Sequence, residues 1–149
     1  MTTTRVLPPV LLLVALVVML GLHIIWPGPR LGGGALQLVG GAAAMGGLSL
    51  SVFSAGLFRR RGTAVRPFEE SSTLVVEGPY RFTRNPMYLG MTLMVAGVGL
   101  ALGSSVPLVT VPLFVGIIRW RFIRLEEQML STRFGAAYEA YRTRVRRWL

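Results

Sequence analysis

The chain has 149 residues, 52% of them hydrophobic, and a mean hydropathy of +0.58, which is the length of one domain but too apolar for a small soluble fold to bury. Its formal net charge is +10, it has no cysteine, and its single histidine is His23, so disulfides, thiolate metal sites, cysteine nucleophiles and a zinc site built by His23 alone are all excluded. These features predict an all-α integral membrane protein, a helical bundle of about four transmembrane helices folded as one domain over residues 1–149.

The first apolar span is Leu7–Trp26. It is longer than an ordinary signal-peptide core, and Leu22-His23-Ile24 is no small-residue cleavage site, so a retained helix is expected. The second span, Ala35–Phe58, carries Gly40-Gly41-Ala42-Ala43-Ala44 and Gly46-Gly47, small residues that let membrane helices approach closely. A polar loop over 59–85 ends at Asn85-Pro86, a favoured N-cap and first helical residue, ahead of the third span, Pro86–Gly103. The free N–H groups of that helix start, with Arg81 and Arg84 beside them, would suit an anion. The turn Gly103-Ser104-Ser105-Val106-Pro107 is short, so spans three and four, the latter Val106–Ile123, should be antiparallel neighbours sharing a face.

Span four has only thirteen uncharged residues, Val106–Ile118. That is about 20 Å of helix, so crossing roughly 30 Å of hydrocarbon brings Arg119 and Arg121 into the inner leaflet region, where they either snorkel or line a polar cavity. Glu126-Glu127 follows as a carboxylate pair, with Glu126 seven positions after Arg119 and hence on nearly the same helical face. In the tail, 124–149, Leu130, Phe134, Tyr138, Tyr141, Val145 and Trp148 recur at three- and four-residue steps, which predicts an amphipathic helix lying along the inner membrane surface.

All sixteen positive charges are arginine, and only Arg30 lies between the first two spans. By the positive-inside rule both termini and the 59–85 loop are expected to be cytoplasmic. The same asymmetry accounts for the basic charge through topology and anionic lipid, so nucleic acid is not an expected partner.

Three blocks, TLVVEGPYRFTRNPMYLG (Thr73–Gly90), RWRFIRLEEQML (Arg119–Leu130) and FGAAYEAYRTRV (Phe134–Val145), together resemble the isoprenylcysteine carboxyl methyltransferase family and its bacterial relatives. Related patterns occur in phospholipid N-methyltransferases. The resemblance covers about Thr73–Val145, half of the chain, and implies an S-adenosylmethionine-dependent enzyme with its cofactor pocket in the cytoplasmic end of the bundle. Carried over by position, the cofactor contacts fall on Ser72, Thr73, Leu74, Val75, Tyr80, Asn85, Pro86, Met87, Tyr88 and Glu126. Many relatives have histidine where this chain has Asn85. The family also places an arginine shortly before the cofactor glutamate to hold a carboxylate or phosphate of the acceptor. Arg119, Arg121 and Arg124 are all open here, with Arg121 favoured as the substrate-orienting residue. No metal enters this scheme.

The implied acceptor is lipophilic and reaches the site from the bilayer: an isoprenoid carboxylate or thiol, or a phospholipid amine. The all-arginine, Ala-, Gly-, Val- and Leu-rich composition points to a GC-rich bacterial genome, and so to a bacterial inner membrane in which prenylated proteins are less expected substrates. Two other classes stay open. A sterol-reductase-like enzyme using reduced nicotinamide is distantly echoed by RNPMYLG but belongs with a larger helix count. A non-enzymatic membrane adaptor would have no need of Tyr80, Arg84, Asn85 and Glu126 together.

Overall fold

The computed structural model describes residues 7–62 and 73–149. Its helices are α1 (Pro8–Ile25), α2 (Gly34–Arg60), α3 (Pro86–Leu102), α4 (Thr110–Ile118), α5 (Arg124–Phe134) and α6 (Ala136–Arg144). A 3-10 turn, Val106–Val109, and a π-helical turn, Arg119–Ile123, join α4 to its neighbours without interruption, so Val106–Phe134 is one helical rod of 29 residues. Helices α1, α2 and this rod are long and apolar enough to cross a membrane; α3 is shorter, at 17 residues. The described residues contain no strand, only two isolated bridges that tie loops together.

The two most intimately packed helices are α2 and α3. Gly40 and Gly47 on α2 face Gly97 and Gly90 on α3, seven residues apart along each helix in opposite directions, which is the register of an antiparallel pair. A methyl group at Gly47 would sit on the Gly90 carbonyl oxygen and the Met94 nitrogen; one at Gly97 would sit on the backbone of Ala44 and Gly40. Small side chains thus let the two backbones touch. Ser51 adds a hydrogen bond from its hydroxyl to the Met87 carbonyl, 2.8 Å away. The glycine-rich second span is therefore a packing surface, as its composition implies, and α3 also meets α4, as the short turn between them implies.

On the other side of α3, Met19 of α1 and Phe114, Ile118, Phe122 and Ile123 of the rod form a buried cluster with Val95 and Tyr88. At one end of the bundle the loops seal the structure. Gly103, in the left-handed region at φ 66°, ends α3 and turns its N–H back to the Leu100 carbonyl. Leu31 donates to the Gly103 carbonyl, Ser105 to Pro29 and Val106 to Pro27, and His23 Nδ1 lies 2.9 Å from Ser104 Oγ.

At the opposite, polar end three expectations change. The helix expected to end at Ile123 runs on to Phe134, because nothing in Arg124–Phe134 breaks it. The single amphipathic tail helix is instead two, divided at Gly135, which takes a φ of 48° that L side chains resist. After Arg144 the chain becomes extended, at Val145, and lies beside the loop before α3 through the Thr83–Arg146 bridge.

Candidate functional site

The site is assembled where α3 begins. Pro86 fits the first helical position because its missing N–H would have no intrahelical partner there. One turn on, the Tyr88 hydroxyl donates to Glu126 Oε1 at 2.5 Å, joining α3 to the first turn of α5. Tyr88 is 3% exposed and its ring packs 6.3 Å from that of Phe122, so this polar bond is backed by apolar side chains. In a dry setting such a charge-assisted bond is stronger than it would be in water.

Tyr80 approaches the same carboxylate from the 3-10 turn Gly78–Arg81, with its ring against Phe58 of α2 at 5.3 Å. Burial pushes its phenol well above the ordinary range, and the nearby negative charge of Glu126 pushes it further. Its hydroxyl is buried and has no hydrogen-bond partner among the described residues. An orphaned buried hydroxyl is costly, and it is the kind of group that a polar ligand satisfies.

The π-helical turn explains why Glu126 can reach Tyr88. A π turn is wider than an α turn, so residues beyond it are rotated relative to the face set by α4. Ile118, Phe122 and Ile123 stay in the core across the change, and Glu126 and Glu127 arrive facing the loop before α3. Nothing in the heptad-like spacing of Arg119 and Glu126 reveals that turn. Arg119, Arg121 and Arg124 are all exposed, and Arg124 lies over the Trp120 ring at 4.2 Å. Arg121 is therefore on the outer surface of the rod, and among the described residues neither it nor Arg119 makes an ion pair.

Other expected contacts are placed as follows. Ser72 lies outside the described residues. Thr73 is exposed, while Leu74 packs on Tyr138, Tyr141 and Val145, and Val75 is buried. Pro86 is buried and Met87 half-buried at the α3 start. Asn85 occupies the N-cap position without capping through its side chain: its amide donates instead to the Arg147 carbonyl at 3.0 Å. The anion site drawn from Arg81 and Arg84 also changes, since Arg81 is exposed and Arg84 pairs with Glu127 at 3.4 Å.

The sequence did not reveal which partners the tail takes. Arg147 grips Glu127 through two bonds, of 3.0 and 2.6 Å. Thr83 Oγ1 donates to the Arg147 carbonyl at 3.1 Å, the Arg84 N–H donates to the Arg146 carbonyl at 2.9 Å, and Trp148 packs against the cluster holding Tyr88 and Phe122. The Tyr141 hydroxyl donates to the Tyr80 carbonyl at 2.7 Å, fixing the turn that carries Tyr80. The Glu127 side chain, held by Arg147, is only 15% exposed. The one available signal was the adjacent carboxylates themselves, which on a helix point about 100° apart and so need two different partners.

The sequence profile of phospholipid methyltransferases matches residues 36–137, a stretch that includes Tyr80, Tyr88 and Glu126. Over 76 residues the chain is 34% identical to a protein-S-isoprenylcysteine O-methyltransferase of Schizosaccharomyces pombe, a match covering 48% of this chain and 30% of that one. Over 63 residues it is 38% identical to an uncharacterized protein of Haemophilus influenzae, covering 42% of this chain and 100% of the other. No solved structure matches.

Proposed function

The chain belongs to the phospholipid methyltransferase family, and from that premise we propose that it is an S-adenosylmethionine-dependent methyltransferase of the membrane, acting on a lipophilic acceptor. The observation that carries this reading is the buried Tyr88–Glu126 pair at the polar end of an apolar bundle, together with the orphaned Tyr80 hydroxyl, whose phenol feels the Glu126 charge. The residues present suit such a donor. Glu126 offers a carboxylate to an ammonium or to ribose hydroxyls, and Tyr80 offers an unused phenol.

S-adenosylmethionine, when bound, supplies a methyl group on a sulfonium that an attacking O, S or N atom displaces in line. The protein's task is then orientation and exclusion of water rather than a proton-relay triad. Tyr88 fixes the Glu126 carboxylate in one direction through its hydrogen bond. The buried cluster of Phe114, Ile118, Phe122 and Ile123 keeps water from the α3 side of that carboxylate. An arginine following α4 would hold an anionic group of the acceptor, and we assign that role to the exposed Arg121. The arginine asymmetry supports an inner-membrane setting with this end of the bundle in the cytoplasm, where the donor is available.

The test is transfer of a labelled methyl group by purified protein in liposomes. The acceptors are offered separately: a phospholipid amine, an isoprenoid carboxylate and an isoprenoid thiol. The reading expects label in one of these lipids and none with Glu126→Gln. Label that appears in no lipid, or that appears equally with the variant, would overturn it.

A further inference from the structure

We propose that Glu127, Arg84 and Arg147 form an ionic latch that positions the methyl-donor site, with Glu127 as its centre; the inference rests on the donor reading above. Glu127 accepts two hydrogen bonds from Arg147 and lies 3.4 Å from Arg84, and the Glu127 and Arg84 side chains are 15% and 10% exposed. The latch lies beside the Tyr88–Glu126 bond: Glu127 is the next residue on α5, and Arg84 is four residues before Tyr88, in the loop that leads into α3. It also sets where the tail runs. Three donors from consecutive residues, Thr83 Oγ1, the Arg84 N–H and Asn85 Nδ2, converge on the carbonyls of Arg146 and Arg147.

Anchoring alone does not account for this arrangement. Three charged groups taken largely out of water carry a desolvation cost, and apolar side chains of similar size generally hold a segment at least as well. A bidentate fork adds direction: it fixes the Arg147 backbone, through it the Asn85 amide, and so the start of α3 that aims Tyr88. The carboxylate faces two guanidinium groups, and Arg84 Nε and Nη1 have no hydrogen-bond partner among the described residues. Losing Glu127 would therefore leave a buried cation uncompensated beside the turn that carries Tyr80. None of the three residues is assigned a contact with the donor; they act through Tyr88, Tyr80 and Glu126.

Full-length protein in detergent is titrated with S-adenosylhomocysteine, and donor KM and kcat are measured with the lipid that accepts label. Glu127→Gln, Arg147→Gln and Arg147→Lys are compared with the unsubstituted chain, each with its ligand-free melting midpoint. Arg147→Gln leaves the Arg84–Glu127 pair in place and serves if Glu127→Gln does not fold. Either glutamine variant should weaken S-adenosylhomocysteine binding and raise donor KM by roughly tenfold or more, while kcat changes by less than about threefold. Arg147→Lys should fall between, since a point charge replaces the fork. If affinity and KM stay within about twofold of the unsubstituted chain while the melting midpoint drops, the residues only anchor the tail and the proposal fails. If the unsubstituted chain itself binds no S-adenosylhomocysteine, the donor reading fails first and the latch falls with it.

Discussion

The seam between α2 and α3 and the polar end where loop, α5 and tail meet are held together in opposite ways. In the seam the absence of side chains does the work: Gly40, Gly47, Gly90 and Gly97 bring two backbones into contact, and among the described residues the only side-chain hydrogen bond across it is from Ser51 to the Met87 carbonyl. At the polar end, side chains from residues some sixty positions apart are matched one to one, as Asn85 with Arg147 and Tyr141 with Tyr80. A close-packed seam fails when anything is added. A network of matched polar groups fails when anything is removed.

The largest effect should therefore come from adding bulk to the seam. Gly47→Leu would drive a side chain into the Gly90 and Met94 backbone and cost about 3 kcal/mol or more, lowering the yield of folded protein and its melting midpoint. Gly41→Leu on the same helix, where nothing lies within 4 Å of the added carbon, should melt close to the unsubstituted chain. Equal damage from both would mean that the seam is not where α2 and α3 meet.

Next in size is the rotation supplied by the π-helical turn. Deleting Arg121 should convert Arg119–Ile123 to ordinary α-helix and swing Glu126 and Glu127 away from Tyr88 and Arg147 together. The helix content should persist, whereas S-adenosylhomocysteine affinity should fall by about a hundredfold, the loss of more than one charge-assisted bond. Retained affinity with Arg121 deleted would remove the π turn from the account. Arg121→Ala, which keeps the chain length, should leave donor affinity nearly unchanged and raise only the acceptor KM.

The smallest effect concerns Tyr141. Tyr141→Phe removes the bond to the Tyr80 carbonyl and should cost about 1 kcal/mol of tail docking, read as faster proteolysis after Arg144. The same contact predicts an alkaline limit. Burial first, and Tyr138 second, push the Tyr141 phenol up to about 12 from an ordinary value of 10.0. A phenol raised in the folded state supports docking fully below its ordinary value and loses that support as pH climbs through its raised one. Tail proteolysis should accordingly accelerate as pH rises from 10.0 towards about 12, and less so in Tyr141→Phe.

The seam was largely legible from sequence because its signal is local: runs of glycine and alanine in an apolar span mean close approach whatever the partner. The long apolar helices were legible for the same reason, and the ends of α1, α2 and α3 fall within two residues of expectation. The polar end was legible only in part. Asn85-Pro86 marked the helix start correctly, but the use of the Asn85 amide depends on a carbonyl 62 positions away that no local pattern encodes. The resemblance pointed to Glu126, yet nothing local pointed to the partners of Glu127. A single glycine, Gly135, turned one expected helix into two and brought the tail back across the loop before α3.

We expect the Tyr80–Tyr88–Glu126 group to hold the methyl donor, and a calorimetric titration with S-adenosylhomocysteine measures that binding. The unsubstituted chain in detergent should bind at roughly micromolar Kd, with Glu126→Gln weaker by about ten- to a hundredfold and Tyr88→Phe weaker by a smaller factor. Saturable binding that is unchanged in Glu126→Gln, or no binding by the unsubstituted chain, would contradict it.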